Sequence, residues 1–329
     1  MKIQNRYNFY TSWATALASL SCVAAIQSSA WGYGPDGHEI VGDIADQLIK
    51  NTPAAAHVHT LLGNNTLGSV ASWADDAKYS PNPHDAEMMA FINANPKNSG
   101  VTDHWNYHFT DIPVEETHYR ANSVGAAPMD VVHMIRNCIL ILQKKDTPAT
   151  NPTHIPESTA LRLLVHYVGD VHQPLHVGAA YFDAQGNMVD PNQGAHAKKD
   201  TGGNDITFRG ANLHHYWDND VVKGAMHKAG ASTPQQFASY AVQHPPQGWQ
   251  SGPSVTGWSV KWANEVLPIA ADAHGKLTIT PGAHGKWTAK EKAPVTPAQY
   301  DDWASGQAST ELERAGYRLA AVLQTVWAH

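Results

Sequence analysis

The chain has 329 residues, which is enough to bury a large core in one or two domains. It carries 22 Lys and Arg against 29 Asp and Glu, so its formal net charge is −7. An acidic chain is a poor electrostatic partner for nucleic acid, unless bound metal ions reverse the field at one site without changing the composition.

The first thirty residues have the pattern of a secretory signal peptide. Lys2 and Arg6 precede a short apolar run, and the small residues Ser28, Ser29 and Ala30 form a cleavage site. The run is too short to cross a bilayer, which disfavours the alternative of an N-terminal anchor. Cleavage would make Trp31 the first residue and change the formal charge from −7 to −9, because residues 1–30 hold two basic and no acidic residues.

Apolar periodicity predicts helices along the mature chain. The first predicted helix follows Pro35, with apolar positions at Ile40, Val41, Ile44, Ala45 and Leu48. A second spans 158–172, and a C-terminal helix carries apolar residues from Leu312 to Val326, with Thr310 and Glu313 as its capping box.

Little strand pattern is visible. The best short strand is 206–208, and the polar, Gly- and Pro-rich stretches 183–203, 243–257 and 280–298 are predicted to be loops. Residues 31–329 are therefore predicted to form one all-α, mainly helical domain with long loops and at most a short β-hairpin. Cys138 is the only cysteine left after cleavage, so a buried free thiol is expected, without an internal disulfide.

Two His/Asp pairs point to chemistry. His166 and Asp170 lie four residues apart, as do His214 and Asp218, a spacing that puts both members of a pair on one helix face. His176 follows the break at Pro174 and can turn toward the first pair. A single pair is equally compatible with a helix-face hydrogen bond, whereas two pairs and His176 indicate a multi-metal site. Imidazole and carboxylate ligands without thiolates are typical of catalytic zinc.

The longer motif His166-x-x-x-Asp170-x-His-Gln-Pro-Leu-His176 resembles the zinc-dependent single-strand-specific nucleases of the S1/P1 type, relatives of the bacterial zinc phospholipases C. Matches in the family's order run along the mature chain. They are Trp31-Gly32 with Gly37-His38, Ala71-Ser72-Trp73-Ala74-Asp75, His108-Phe109-Thr110-Asp111, Gly202-Gly203-Asn204, Asn212-Leu213-His214 with Trp217-Asp218, and Gly316-Tyr317-Arg318-Leu319-Ala320.

The resemblance implies the helical phospholipase C/P1 nuclease fold and three Zn²⁺ ions. The first ion would take Asp75, His108, His166 and Asp170; the second His176, His214 and Asp218; the third His38, Asp170 and the amino group and carbonyl of Trp31. Without the resemblance, Trp31 is an ordinary buried aromatic residue and His38 a surface histidine at a helix start. The Trp31 amine is a ligand only after cleavage, which would couple metal assembly to export.

The resemblance also implies substrate contacts. Lys78 and Asn204 would lie near the scissile phosphate, with Lys78 stabilising charge in the transition state. Phe109 would stack on a nucleobase and Asp111 would accept hydrogen bonds from it, which favours unpaired strands. The alternatives are a solvated lysine, a simple turn asparagine, a core phenylalanine, and an aspartate that orients a metal ligand.

The implied activity is in-line hydrolysis of the P–O3′ bond in single-stranded DNA and RNA, with cleavage of 3′-nucleotides. The enzyme would be a secreted or periplasmic monomer without a stable protein partner or transmembrane segment. A zinc phospholipase C and a non-catalytic zinc-binding protein are the alternatives. Asp218 favours a nuclease, because phospholipases of the superfamily tend to carry Glu there.

Two departures from the fungal enzymes affect these expectations. The chain lacks their disulfide cysteines, and it inserts a polar segment at about 183–201 that could reshape one wall of the cleft. Base preference is therefore open. Histidines without a ligand pattern are not expected to bind metal; they are His104, His118, His133, His172, His196, His215 and His227. Asp76 is expected to support its neighbour Asp75 rather than bind metal itself.

Overall fold

The computed structural model describes residues 33–194 and 196–328. The predicted signal peptide and Trp31 lie outside the described residues. The structure is 56% helical, which confirms the mainly helical fold class. None of the helices within the described ranges combines the length and apolar character that a membrane crossing requires.

Twelve α-helices follow one another within the described ranges, most of them joined by short turns. They are α1 Gly34–Ile49, α2 Pro53–Leu62, α3 Leu67–Val70, α4 Trp73–Tyr79, α5 Ala86–Ala94, α6 Val131–Leu142, α7 Glu157–Asp170, α8 Leu213–His215, α9 Val221–Lys228, α10 Pro234–Gln243, α11 Trp258–Gly275 and α12 Pro297–Val326. A π-helical turn, Tyr216–Asp220, joins α8 to α9.

The centre of the core is α7. Every residue from Leu163 to Asp170 is buried, because α1, α4, α6 and α12 pack around the helix. The predicted helix at 158–172 is confirmed, although α7 ends at Asp170. The 3₁₀ turn Pro174–His176 follows, so the chain bends back toward the helix it has just left.

Eight short strands lie in the described ranges. They are β1 Ile112–Pro113, β2 Gly178–Ala179, β3 Tyr181–Phe182, β4 Lys198–Lys199, β5 Ile206–Phe208, β6 Ala211–Asn212, β7 Leu277–Pro281 and β8 Trp287–Glu291. The strands β1 and β2 pair in parallel, and β3 pairs antiparallel with β4. The antiparallel hairpin of β7 and β8 is extended by β5 and β6 into a four-stranded sheet in the order β6-β5-β8-β7.

The strand and loop predictions differ in outcome. The strand at 206–208 is confirmed as β5. The loop predicted at 280–298 is wrong in part, because Trp287–Glu291 pairs with β7 and α12 begins at Pro297. The loop at 183–203 likewise contains β4.

The capping box predicted for the C-terminal helix is also wrong. The helix begins thirteen residues before Thr310, at Pro297, where the side chains of Thr296 and Gln299 form the capping box. Thr310 lies inside α12 and donates its hydroxyl to the carbonyl oxygen of Gly306 at 3.1 Å, while Glu313 accepts from Ser309 at 3.0 Å. In the first turns of α12 only Tyr300 and Trp303 are large and aromatic and the other residues are small or polar, so the apolar periodicity was too sparse to predict a helix there.

Candidate metal centre and substrate cleft

The predicted metal ligands within the described ranges come from separate segments and meet at one place. The central helix α7 carries His166 and Asp170, and the elements around it contribute the others: His38 from α1, Asp75 from α4, His108 before β1, His176 from the 3₁₀ turn, His214 from α8 and Asp218 from the π-helical turn. All eight side chains are buried. A π turn at such a position is common at functional sites, where it adjusts the aim of a side chain.

Three groups of ligand atoms form within this cluster, each with its atoms within 4.8 Å of one another. The groups are Asp75, His108 and His166; His176, His214 and Asp218; and His38, His166 and Asp170. The first group contains three of the four side chains expected for the first ion, without Asp170, and the second contains all three expected for the second ion. The third contains the two described side chains expected for the third ion, while Trp31 lies outside the described residues.

Asp170 faces two of these groups with different oxygen atoms. Its Oδ2 lies 3.2 Å from His108 Nδ1 and 3.2 Å from His166 Nε2, whereas its Oδ1 lies 3.5 Å from His38 Nε2. One carboxylate could therefore bind two ions, which is the geometry that the bridging prediction requires.

Backbone carbonyls fix the imidazole rings. The Nδ1 atoms of three histidines donate to carbonyl oxygens: His166 to Ala71 at 2.7 Å, His176 to His108 at 2.8 Å and His214 to Gly202 at 2.7 Å. Donation from Nδ1 sets the tautomer and leaves each Nε2 lone pair directed into the cluster, as is usual for metal-binding histidines.

Several buried atoms of the cluster make no hydrogen bond, which fits a site for cations. They are Nδ1 and Nε2 of His38, both carboxylate oxygens of Asp170, Nε2 of His176 and Oδ2 of Asp218. Such atoms are costly to bury unless something else satisfies them. His108 Nδ1 and His166 Nε2 approach to 3.0 Å, so both rings point at the same small space.

The protonation of three cluster histidines also fits metal binding. Burial lowers the pKa of His38, His108 and His176 well below the usual value, so these rings are neutral and can act as ligands. Burial lowers the pKa of a fourth, His166, but the carboxylates of Asp170 and Asp75 raise it overall to about 9, so a cation would have to displace its proton. Burial raises the pKa of Asp218 well above its usual value, because its charged form lacks solvent. A cation held by these side chains would favour the carboxylates in their charged form.

Two residues that were not assigned from the sequence support the ligands. Gln173 donates from Nε2 to Oδ1 of Asp218 at 2.7 Å, and its Oε1 accepts from the backbone of Leu175 at 2.5 Å. Gly202 has a φ of +57°, and a Cβ there would lie 2.3 Å from the Leu175 carbonyl oxygen. Gln173 lies in the motif that ends at His176, and Gly202 begins the Gly-Gly-Asn motif. Membership of these motifs was the sequence signal that could have identified both residues.

A cleft of about 300 Å³ opens onto the metal cluster. Its walls contain three of the predicted metal ligands and all four predicted substrate residues. The lining residues are Lys78, Tyr79, Lys97, Asn98, Asp103, Trp105, Asn106, His108, Phe109, Asp111, Leu175, His176, Thr201, Asn204 and His214. Metal ligands and substrate candidates therefore share one cavity.

Lys78 lies at the junction between cleft and cluster. Its side chain is 7% exposed, and its Nζ stands 3.7 Å from Oδ1 of Asp75. Burial alone would lower the pKa of Lys78, but the carboxylate of Asp75 and its neighbours raise it overall, so the ammonium keeps its charge. A buried, charged ammonium beside a metal cluster is suited to an anionic ligand.

The remaining substrate candidates line the outer part of the cleft. Phe109 is half-buried, and Asn204 donates from Nδ2 to the Thr201 carbonyl at 3.0 Å, which holds the turn in place. Asp111 is buried and forms an ion pair with Lys199, whose Nζ lies 2.5 Å from Oδ2. Lys199 was not identified from the sequence, because it lies in the inserted segment, where no motif marked it.

The histidines that were expected not to bind metal lie outside the three groups found within the described ranges. His172 is buried, but its Nδ1 donates to the Val168 carbonyl at 2.7 Å and its Nε2 lies 2.8 Å from Arg318. His133 pairs with Asp130 at 2.9 Å. Asp76 borders Asp75, and no metal group within the described ranges includes it.

Comparison with known proteins gives a consistent result. The family model for S1/P1 nuclease matches residues 33–328. The chain is similar to nuclease S1 of Aspergillus oryzae, at 26% identity over 92% of this chain and 94% of that protein. It is similar to nuclease P1 of Penicillium citrinum, at 25% identity over 88% and 95% of the two chains. The match to Endonuclease 2 of Arabidopsis thaliana, at 29% identity, covers 59% of this chain but only 57% of that protein.

Proposed function

Because the chain belongs to the S1/P1 nuclease family, we propose that it is an exported zinc-dependent endonuclease of single-stranded DNA and RNA. Family membership indicates a hydrolase that acts on the phosphodiester bonds of nucleic acids. The proposal adds that it cleaves the P–O3′ bond, releases 5′-nucleotides and removes phosphate from 3′-nucleotides. The mature enzyme would be one monomeric domain, residues 31–329, secreted or periplasmic after cleavage before Trp31.

Three zinc ions are proposed to occupy the cluster. Asp75, His108, His166 and Asp170 would hold the first ion, and His176, His214 and Asp218 the second. His38 and Asp170 would hold the third together with the amino group and carbonyl of Trp31. Zinc in such a site activates water near neutral pH and withdraws charge from phosphate oxygens. The support is the convergence of eight buried ligands, several of them without hydrogen-bond partners.

Lys78 is proposed to bind the scissile phosphate. Its ammonium is fixed beside Asp75 and faces the cleft, so it can neutralise charge that builds up on the phosphate oxygens during hydrolysis. Asn204 also lines the cleft and would contribute a second polar contact. Asp170 would act indirectly, by keeping two metal positions at a fixed separation.

Phe109 and Asp111 are proposed to hold the nucleobase. Phe109 lies three residues before β1, which pairs with β2, and its neighbour Thr110 donates from its backbone to the His176 carbonyl at 2.8 Å. The base pocket and a metal ligand therefore lie on one short ladder with a fixed spacing. Stacking on Phe109 requires a base that is free of its partner, which gives single strands their advantage.

The observation that carries the proposal is the shared cleft. Ligand histidines, a buried ammonium and an aromatic and acidic pocket line one cavity of about 300 Å³. A metal-binding protein without catalytic function would have no need for this combination.

The test uses the mature protein loaded with zinc. We expect acid-soluble 5′-phosphorylated products from single-stranded DNA and RNA, slower cleavage of duplexes, and phosphate release from 3′-nucleotides. Lys78→Met should lower the rate strongly with metal content unchanged, whereas Lys145→Met, at an exposed lysine outside the cleft, should act as wild type. Choline phosphate release from lecithin without nucleotide release would instead identify a phospholipase C. Inactivity of a zinc-loaded preparation on every phosphodiester would identify a non-catalytic protein.

Two physical measurements complete the test. Metal analysis should give three zinc ions per chain, and N-terminal sequencing of exported protein should begin at Trp31. A different first residue would remove the terminal amine from the third site. Size-exclusion chromatography should give the mass of one chain.

A further inference from the structure

The inserted segment returns to the cleft and brings a cation beside the two proposed base-binding residues, Phe109 and Asp111. Lys199 pairs with Tyr181 between β3 and β4. Its Nζ lies 2.5 Å from Oδ2 of Asp111 and 6.0 Å from the centre of the Phe109 ring. The Asp111 side chain is 4% exposed and that of Lys199 44%, so the carboxylate is buried while the ammonium is partly exposed beside two residues that line the cleft, Phe109 and Asp111.

Both partners of this ion pair are held by their surroundings. The Tyr181 hydroxyl donates to the carbonyl oxygen of Asp111 at 2.9 Å, and the backbone of Asp111 donates to Gly125 at 3.1 Å. Next to Lys199, the buried Asp200 accepts from the Ala180 backbone at 3.1 Å. The pair is therefore anchored at both ends through the same strand, and it differs from a mobile surface contact.

We propose that Lys199 and Asp111 together make the pocket selective for guanine, an inference that rests on the proposed nuclease function. The ammonium donates to the O6 atom of the base, and the carboxylate accepts from N1–H and from the N2 amino group. Guanine presents this acceptor and these two donors side by side on its Watson–Crick edge. Adenine has no carbonyl and only one donor group there, so it makes fewer contacts with the same pair.

The hydrogen-bonding groups of Lys199 and Asp111 support selectivity for guanine. Contact between lysine and the acceptor atoms of guanine is among the commonest specific contacts between proteins and bases. A carboxylate alone would accept from the amino groups of adenine, cytosine or guanine. The added ammonium favours a base with an acceptor beside its donors, and the insertion supplies that ammonium.

The alternative role for Lys199 is to compensate the buried charge of Asp111 and nothing more. Burial raises the pKa of Asp111, and the ammonium of Lys199 opposes that rise. A purely compensating lysine would affect the stability of the fold and the strength of all nucleotide binding, but it would not alter the ratio between two bases.

The experiment compares hydrolysis of guanosine, inosine and adenosine 3′-monophosphates by the zinc-loaded protein. We expect wild type to favour guanosine over adenosine by about tenfold in kcat/KM, since a good base contact gives discrimination of this order. Inosine, which keeps O6 and N1–H but lacks the N2 amino group, should fall between them. Lys199→Met should bring the three values close together, and Lys199→Arg should keep the preference.

The matched control is Lys198→Met, which removes the neighbouring lysine whose Nζ donates to the Gly285 carbonyl at 2.6 Å, and it should leave the ratio unchanged. Bis(p-nitrophenyl) phosphate has no Watson–Crick edge, so its hydrolysis by each variant is the reference rate for the metal site, and Lys198→Met should match wild type on it. An unaltered guanosine-to-adenosine ratio in Lys199→Met would overturn the inference, as would a preference of wild type for adenosine.

Failure of the proposed function is distinguishable from failure of this inference. If wild type hydrolyses neither the nucleotides nor bis(p-nitrophenyl) phosphate, the nuclease assignment fails. Equilibrium binding of guanosine and adenosine 5′-monophosphates then still measures base selectivity. Tighter binding of the guanosine compound that depends on Lys199 would support the pocket, and equal binding would refute it.

Discussion

Gly169→Ala tests whether the cluster needs close contact between α7 and α1. Gly169 lies on α7 beside Asp170, and a Cβ added there would stand 2.7 Å from His38 Nδ1. Ordinary contact begins at 3.4 Å, so the His38 ring would have to retreat by about 0.7 Å. The ring is already stacked on His166 with centroids 3.8 Å apart, which leaves little room on that side.

Two opposing contributions determine the change in the free energy of unfolding. Overpacking a buried contact costs about 1–3 kcal/mol. Replacing a glycine inside a helix by alanine returns about 0.5–1 kcal/mol. We therefore expect a net loss between about 0 and 2.5 kcal/mol, centred near 1 kcal/mol, which corresponds to a fall in Tm of about 2–4 °C. The displacement of about 0.7 Å also exceeds the tolerance of a metal–ligand distance, about 0.2 Å, so the His38 position should lose its ion.

The assay combines thermal unfolding with metal analysis of the same preparations. The matched control is Gly306→Ala on α12, where an added Cβ meets nothing within 4 Å; it should raise Tm slightly and keep all metal. Gly169→Ala should lower Tm with and without chelator and bind about one metal ion fewer than wild type. A Gly169→Ala variant with full metal content and a Tm at or above that of the control would refute the packing argument.

Three further predictions rest on named contacts. Asp170→Asn should lose activity and more than one metal ion together, since the two carboxylate oxygens face two ligand groups; mass spectrometry that finds full metal content would exclude bridging. Phe109→Ala should weaken equilibrium binding of a nucleotide by about 1–3 kcal/mol while metal content stays constant, and unchanged affinity would exclude stacking. His274→Gln removes a buried ion pair in which burial lowers the pKa of His274 but Asp200 raises it further, for a net rise. Because the pKa of His274 is raised in the folded state, the ion pair stabilises the fold fully at pH values below the unfolded pKa of about 6.5. The difference in stability between wild type and His274→Gln should therefore be largest below that pH and shrink as the pH rises. A difference that grows with pH in denaturant titrations would contradict this sign.

The helices near the site could be predicted from the sequence because apolar residues recur at close helical spacing along them. The stripe from Ile40 to Leu48 and the buried run of α7 both carry enough apolar residues to define a helix face. By contrast, the start of α12 and the strand β8 were missed. Apart from Trp287, Tyr300 and Trp303 their residues are small or polar, and β8 gains its conformation from pairing with β5 and β7, which are distant in sequence or separated by a turn.

The ligand residues were also accessible, because imidazole and carboxylate groups that recur at a fixed spacing are typical of metal sites. The structure adds the reason for the rest of each motif. In the segment from Ala71 to Asp75, the first residue supplies the carbonyl that orients His166 and the last is itself a ligand candidate. In the Gly-Gly-Asn turn, Gly202 supplies the carbonyl that orients His214. Both motifs therefore supply a backbone carbonyl that fixes a ligand candidate from a different segment, and the first also contains a ligand candidate of its own.

Lys199 could not be predicted, because its role depends on where an insertion ends in space. The sequence marked 183–201 only as polar, and polarity says nothing about which wall of a cleft a loop returns to. The return is determined by the short ladder between β3 and β4 and by the buried Asp200, which His274 holds from α11 at 2.8 Å. Gly202 follows Asp200 by two residues, and its carbonyl orients His214. The insertion that brings a cation to the base pocket is therefore connected to the metal-ligand cluster through this short stretch of backbone. A change in the insertion should consequently alter base selectivity first, and metal affinity only when it displaces Gly202, whose carbonyl orients the ligand candidate His214.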